Sequence, residues 1–358
     1  MGRIISVDLW ACDINGNRRE DLSEYFLSGS VEMNTDRTNS ILTGSFRLSE
    51  PDRVQQYVDY LQPTLHIDFD DGRPSVSKRL GLYSTRIPPG ERTVETHLGT
   101  FECQDLTRIL SLSAYTQVEN VAANTDLIVE IIDTIEDLGI SNYQFPAITR
   151  LAPKDLTFPI GTTRLEKINA LLDIMGWYNL WMDLQGRLTS QPIVPIHQKT
   201  PIVTLTPAML GAPIQDQTND ETLANAVIVI KDDPAEAPLS STIYNIDPES
   251  PTSIQNAPFG TFFRIVTVTE PETQTEINVV AQRYLAESRS FYQTATLVTF
   301  PELDFNVHEI LKLNLTGKME RLNGNWWIRT WGIGFTPEDA VIRAEINRIT
   351  DDILGVRI

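Results

Sequence analysis

Residues 158–192 read FPIGTTRLEKINALLDIMGWYNLWMDLQGRLTSQP and form a small unit complete in itself. Thr163 is followed three residues later by Glu166, the spacing of a capping box: the hydroxyl accepts an orphan backbone N–H and the carboxylate reaches back to the cap. Leu165, Ile168, Leu172 and Met175 recur at helical spacing, so one face of the predicted helix is apolar and needs cover. Gly176 ends it, since glycine enters the left-handed C-terminal conformation at no steric cost. A strand follows, with Tyr178, Leu180 and Met182 on one face and Trp177, Asn179, Trp181 and Asp183 on the other. Gln185-Gly186 then turns the chain back into a partner over 187–190. A helix on a two-strand ribbon buries too little to stand alone. The unit is therefore an insert leaning on larger domains to either side.

Before the insert the period is two. Ile5, Val7 and Leu9 alternate with Ser6 and Asp8, and Leu42, Phe46 and Leu48 alternate with Thr43, Ser45 and Arg47. Leu65, Ile67 and Phe69 repeat the pattern, and further strands are predicted over 79–85 and 93–103. Asn15-Gly16 and Asp71-Gly72 are hairpin turn signals. Short strands spaced by turns predict a barrel or sandwich. From Asn124 the period changes: Leu127, Ile128, Ile131, Ile135 and Leu138 mark a helix closed by Gly139, and a loop with Pro146, Pro153 and Pro159 leads to the capped helix.

After the insert, strands return over 224–230, 262–269, 294–300, 310–315 and 326–335. Between them a helix opens at Thr273 and Glu276 and carries Val280, Tyr284 and Leu285. The last segment, 340–349, reads as a strand behind a turn at 336–339, because Ile342, Ala344 and Ile346 alternate. The run 231–260 is polar and contains Pro234, Pro238, Pro248, Pro251 and Pro258, which predicts a contact loop ordered by neighbouring subunits. There is no βαβ alternation. The expected class is α+β, mainly β, with β-domains at 1–115 and 201–358 around an α/β insert at 116–200.

A chain of 358 residues holds two or three domains with real cores, and 41% hydrophobic with 22% charged residues is ordinary for a globular protein. No stretch approaches the roughly 18 uncharged apolar residues of a membrane helix. The start, MGRIISVD, lacks the basic and apolar blocks of a signal peptide, so synthesis and assembly in the cytoplasm are expected. Acidic residues number 48 against 29 basic ones, a net charge of −19, which argues against tight nucleic-acid binding. Cys12 and Cys103 have no CxxC partner and read as small buried hydrophobes.

Catalytic and metal chemistry finds little support. His66, His97, His197 and His308 are scattered, none in a zinc or catalytic spacing, and read as surface side chains. No glycine-rich phosphate loop with a following lysine occurs. Asp13, Asn15, Asn17 and Glu24 match positions of a calcium loop, but Arg18 stands where that loop needs glycine, and a hairpin turn explains the same residues. Trp327, Trp331, Ile333 and Phe335 share one face of a strand, as a sugar-binding stripe or a barrel core would require, and alternation favours core. Asp70/Asp71, Asp232/Asp233 and Asp351/Asp352 read as solvated turns.

The order of parts carries a resemblance. Phe101-Glu102-Cys103-Gln104-Asp105-Leu106 closes the first β-domain, the helix after Asn124 follows, and Gly161-Thr162-Thr163 opens the next. Then come Trp177 to Gly186-Arg187-Leu188, Asn225 before a strand, Ser250-Pro251-Thr252-Ser253, and Pro301-Glu302-Leu303 before the last hairpins. This resembles the hub protein of phage tail tips and baseplates, a family related to the N-terminal part of type VI secretion spike proteins.

The resemblance implies two tube-like β-barrel domains per subunit and a homotrimer whose six barrels adapt a sixfold tail tube to a threefold tip. It implies a structural virion protein of a bacteriophage, not an enzyme, with no catalytic residues, cofactor or metal. The implied partners are the distal tail protein, the tail tube proteins, the tape-measure protein and a central fibre or spike, with DNA passing through unbound during ejection. The chain stops soon after its last hairpin, so wall-degrading or receptor-binding activity is expected in another chain. The alternatives are a carbohydrate-binding or cell-wall-hydrolysing tail protein using the Trp327/Trp331 face, or a secretion-spike fragment.

Overall fold

The computed structural model describes residues 3–35, 40–55, 58–85, 90–92, 97–194, 199–218, 224–231, 239–246, 248, 253–255, 260–268, 273–290, 293–305 and 308–348. They are mainly strand with a few helices set between, an α+β chain that is mainly β. Among the described residues no sheet closes on itself. By contact the chain falls into two compact units. One comprises Met1–Val194, Val298–His308 and Arg329–Ala344; the other comprises Pro195–Leu297, Glu309–Ile328 and Glu345–Ile358.

The first unit rests on long antiparallel strands. Arg3–Cys12 pairs with Tyr60–Phe69 throughout, Arg3 opposite Phe69 and Cys12 opposite Tyr60. The Asn15-Gly16 turn folds Arg18–Asp21 back along it. Phe26–Thr35, Ser40–Leu48 and His97–Gln104 lie side by side, and residues 330–335 of the strand Gly324–Phe335 pair with Phe26–Thr35. The strand alternation becomes a core: Leu42, Phe46 and Leu48 are fully buried. The Phe46 ring packs 5.3 Å from Tyr83 and 6.4 Å from Phe335. It also lies over Gly44, where a Cβ would sit 2.6 Å from its edge, so the strand needs glycine there for close approach.

Three α-helices among the described residues belong to this unit. The six-residue α1, Thr107–Leu112, has no signal in the sequence reading. Helix α2, Leu127–Glu136, is capped by Asp126, whose Oδ1 accepts from Ile128 N at 3.0 Å. Helix α3, Arg164–Met175, carries the expected capping box. Thr163 N donates to Glu166 Oε2 at 2.7 Å, and Glu166 N donates to Thr163 Oγ1 at 3.2 Å. Gly176 closes it at φ +70°, and Trp177 N returns to the Leu172 carbonyl at 2.9 Å. The buried stripe is Ile168, Leu171, Leu172 and Met175, with Lys167 buried among them.

The strand expected from 177 shrinks to Trp181–Met182, which pairs with Leu188–Thr189, and that strand takes Tyr143–Gln144 on its other edge in parallel. Before it, Leu180 N is held by Asn169 Oδ1 of α3 at 3.0 Å instead of by a ladder. The expected division into two faces fails as well. Trp177, Leu180, Trp181 and Met182 are all at most 7% exposed, because the ribbon is covered on both sides. One cover is the β-sheet region itself: Gly81 N donates to Leu184 O at 2.9 Å, docking the 184–186 turn. That turn is thereby tied to the strands of the same unit.

The second unit contains a parallel pair, Val203–Leu205 with Ile310–Leu313, and an antiparallel pair, Gln215–Thr218 with Gln293–Thr299. Ile310–Leu313 also pairs with residues 324–327. Separate from these is a three-stranded sheet, Ser240–Tyr244, Ala226–Lys231 and Phe263–Val268 in spatial order, antiparallel then parallel. Helix α4, Gln274–Ser290, packs Ile277, Ala281 and Leu285 onto Val227 and Val229. The run 231–260 is therefore not one loop. Ser240–Tyr244 is a strand because Ser241 and Ile243 turn inward beneath α4. Ser253 is fully buried, while 232–238, 247, 249–252 and 256–259 lie outside the described residues. The segment 340–349 is the strand Ala340–Arg348, entered by a turn in which Thr336 N donates to Asp339 O at 2.8 Å.

Candidate functional site

The aromatic stripe is core. Trp327, Trp331, Ile333 and Phe335 are 5%, 3%, 1% and 3% exposed, and neighbouring Trp326 is fully buried with Nε1 donating to Leu322 O at 2.9 Å. Such a face offers nothing to a sugar, which overturns the carbohydrate alternative built on Trp327 and Trp331. The calcium template is a turn. Asp13 Oδ1 accepts from Asn15 N and Asn17 N, both at 2.9 Å, and Asn15 reaches out to Gly139 O at 3.1 Å. The carboxylate is thus engaged by backbone donors, and the turn is tied to the loop after α2.

His66 is half-buried between Asp8 (3.0 Å) and Ser77 (2.8 Å). His308 departs from the surface reading: it is 2% exposed, at φ +60°, stacked on Tyr178 at 3.8 Å and edge-on to Trp181 at 5.4 Å. The side chain of His97 and all of His197 lie outside the described residues, as do Asp232, Asp233, Asp351 and Asp352. Cys12 and Cys103 are both buried thiols, and burial pushes Cys12 up to about 11. Among the described residues no three His, Cys, Asp or Glu side chains converge as metal ligands, and no helix is long and apolar enough to cross a membrane.

The segments that carry the resemblance are structural clamps. Asp105 is fully buried, accepting from Leu42 N and Thr107 N at 2.9 Å each and from the Thr107 hydroxyl. Burial raises its pKa to about 6, against the lowering effect of those hydrogen bonds. Glu302 pairs with Arg3 at 2.8 Å, and Lys78 donates to Leu303 O at 2.7 Å, so Pro301-Glu302-Leu303 is held to the first β-strands. Asn225 holds the strand entry, its Nδ2 on Gly260 O (3.0 Å) and its Oδ1 on Phe262 N (2.7 Å).

Two features had no sequence signal. One is a buried ion pair between helices: Lys167 Nζ meets Glu130 Oε1 at 2.7 Å. Burial works against the Lys167 ammonium, but the Glu130 hydrogen bond and charge prevail and raise its pKa. A cleft of about 310 Å³ opens beside this pair, lined by Tyr115, Glu119, Asp133, Asp137 and Arg164 among others. The other is the open face of the three-stranded sheet, where Phe263, Ile265 and Tyr244 are 49%, 65% and 42% exposed. Alternation marked these residues as strand but not which face is uncovered.

No protein-family model matches the sequence, and no curated protein is similar to it. Solved structures are. The tail protein from Neisseria meningitidis MC58 is 11% identical, with a TM-score of 0.67 over 97% of this chain and 97% of that one. The 43 kDa tail protein of prophage MuSo2 from Shewanella oneidensis is 12% identical, with a TM-score of 0.63 over 96% and 98%. A chain of the lidded Francisella PdpA–VgrG complex is 10% identical, with a TM-score of 0.56 over 97% of this chain and 53% of that chain. Across nearly its whole length the chain has the fold of phage tail proteins and of a chain in the PdpA–VgrG complex, in keeping with the family that the order of its sequence segments resembles.

Proposed function

We propose that this chain is a structural protein of the phage virion, the trimeric hub at the distal tip of the tail. The observation that carries the reading is the whole-chain correspondence with a tail protein, 97% of each chain at a TM-score of 0.67. In this reading three copies form a ring that adapts a sixfold tube to a threefold tip and lines part of the DNA-ejection conduit. The distal tail protein, tube proteins, tape-measure protein and a central fibre or spike contact it, and it performs no catalysis. The domain plan is two tube-like β-domains, 1–115 and 201–358, around the insert at 116–200. By contact, 298–308 and 329–344 pack with the first 194 residues, so the plan has the last domain returning two segments to the first.

A net charge of −19 suits a conduit. Carboxylates on its wall hold a duplex off, within a screening length of about 8–10 Å, where lysines would capture phosphates. Electron microscopy of tails with the chain labelled tests the reading. Threefold density at the tip, with more Asp and Glu than Lys and Arg facing the axis, is expected; a twofold dimer or a position along the tail shaft overturns it.

A further inference from the structure

The strands Ser240–Tyr244, Ala226–Lys231 and Phe263–Val268 contain two charged residues, Lys231 and Arg264, and the register puts both on the side covered by α4. Lys231 is 5% exposed, and Arg264 donates to Ser288 on α4 and lies 5.0 Å from the Tyr284 ring. The opposite face consists of three cross-strand rows: Tyr244, Ala226 and Phe263; Thr242, Ile228 and Ile265; Ser240, Ile230 and Thr267. It carries no charge in a chain of which 22% is charged. Its apolar side chains are open to solvent, Ile265 at 65%, Phe263 at 49%, Tyr244 at 42% and Ile230 at 37%. The Tyr244 and Phe263 rings meet edge to face at 6.1 Å across buried Ala226, making a firm ridge. Contiguous open apolar surface of this kind marks an interaction site.

The edge of the sheet adds a second, independent sign. Among the described residues Phe263–Val268 pairs only with Ala226–Lys231, and no described strand takes its outer edge. Edge strands are normally guarded by lysine, proline or an outward charge. FRIVTV has none of these on its open face.

The occupant follows from charge. A nucleic acid needs lysine or arginine, and a basic partner would seek carboxylates; this face has neither. Two copies of a chain at −19 repel one another, and a carboxylate-free apolar face lets them touch with the least repulsion. We infer that this face and its Phe263–Val268 edge are the contact that a second copy of the chain covers. The inference rests on the hub reading for the idea that copies assemble, and it names where they touch.

The test is the mass of the full chain in solution across a range of concentrations, for the wild type and for Ile265→Asp. The expected result is an assembled wild type and a variant that stays monomeric, its dissociation constant raised at least about tenfold with an unchanged circular dichroism spectrum. Equal assembly of both overturns the inference and leaves the trimeric hub standing. A wild type that is monomeric throughout overturns it as well. A twofold wild-type dimer that the substitution abolishes supports the contact and sinks the ring.

Should Ile265→Asp fail to fold, Thr242→Cys serves instead, because the two native thiols are buried. Maleimide labelling that is slow in assembled protein and fast after dilution supports the contact, and equal rates overturn it. Protection seen only in whole tails, never in purified protein, also overturns it and makes another tail protein the occupant.

Discussion

The insert and the α4 layer use the same parts, a small sheet with a helix beside it, and end differently. In the insert five large apolar side chains of the ribbon are covered: Trp177, Leu180, Trp181, Met182 and Leu188 are at most 7% exposed. The strand Ser40–Leu48 packs against Trp181–Met182, Asn169 of α3 holds Leu180 N, and the 184–186 turn docks on Gly81. In the α4 layer one face has a helix and the other stays open among the described residues, with Phe263 49% and Ile265 65% exposed. One is finished within the chain, and the other is the face to which the inferred second copy is assigned. A small sheet gains stability from what lies on its two faces, not from its own ladder.

The comparison breaks most visibly at large side chains. Trp181→Ala should cost about 3–5 kcal/mol in urea denaturation, since it empties a site walled on both sides. Ile265→Ala, measured at dilution on the monomer, should stay within about 0.5 kcal/mol, because there the side chain faces water. Similar costs at both sites would erase the difference.

Next in size is the ion pair that ties α2 to α3. Glu130→Gln leaves the Lys167 ammonium, its side chain 4% exposed, without its counter-charge and should cost about 3 kcal/mol. The double variant Glu130→Gln, Lys167→Met should recover most of that loss, because it removes the stranded charge. A double variant no better than the single would mean that packing, not charge, holds the helices.

Asp105 gives a smaller, pH-dependent effect. Its folded pKa, about 6, lies above the ordinary 3.8, so the folded state binds the proton more tightly than the unfolded one. Its contribution to stability therefore rises as pH falls through about 6 and levels off near 4. Between pH 7.5 and pH 5 the wild type should gain about 1.4 kcal/mol relative to Asp105→Asn, which cannot titrate. A constant difference between the two proteins across that range would refute the assignment.

The smallest effect sharpens the insert. Thr163→Ala removes the hydroxyl that accepts Glu166 N, and should cost about 1 kcal/mol by thermal melting, with the fold unchanged.

Much of this was legible locally. Thr163, Glu166 and Gly176 announced α3 because capping and helix termination act between residues a few positions apart. Ile342, Ala344 and Ile346 announced the last strand for the same reason, their alternation being a property of the backbone. The short α1 was not legible, because its six residues hold barely one apolar repeat and Asp105, its anchor, is recognised only once Leu42 reaches it. Nor was the strand Ser240–Tyr244, whose serines and threonine read as loop until α4 covers Ile243.

By itself the sequence determined the period of each segment, the caps and turns that bound them, the α+β class and the order of parts that matches tail proteins. These are short-range facts, set by the spacing of side chains along one backbone. Tertiary structure alone decided which alternating faces are covered. The stripe Trp327, Trp331, Ile333, Phe335 and the stripe Phe263, Ile265, Thr267 have the same period, yet the first is core and the second is open. Alternation sets only that a strand has two faces. Whether water, a helix or another molecule lies on each depends on segments far away in the chain, and burial is settled there.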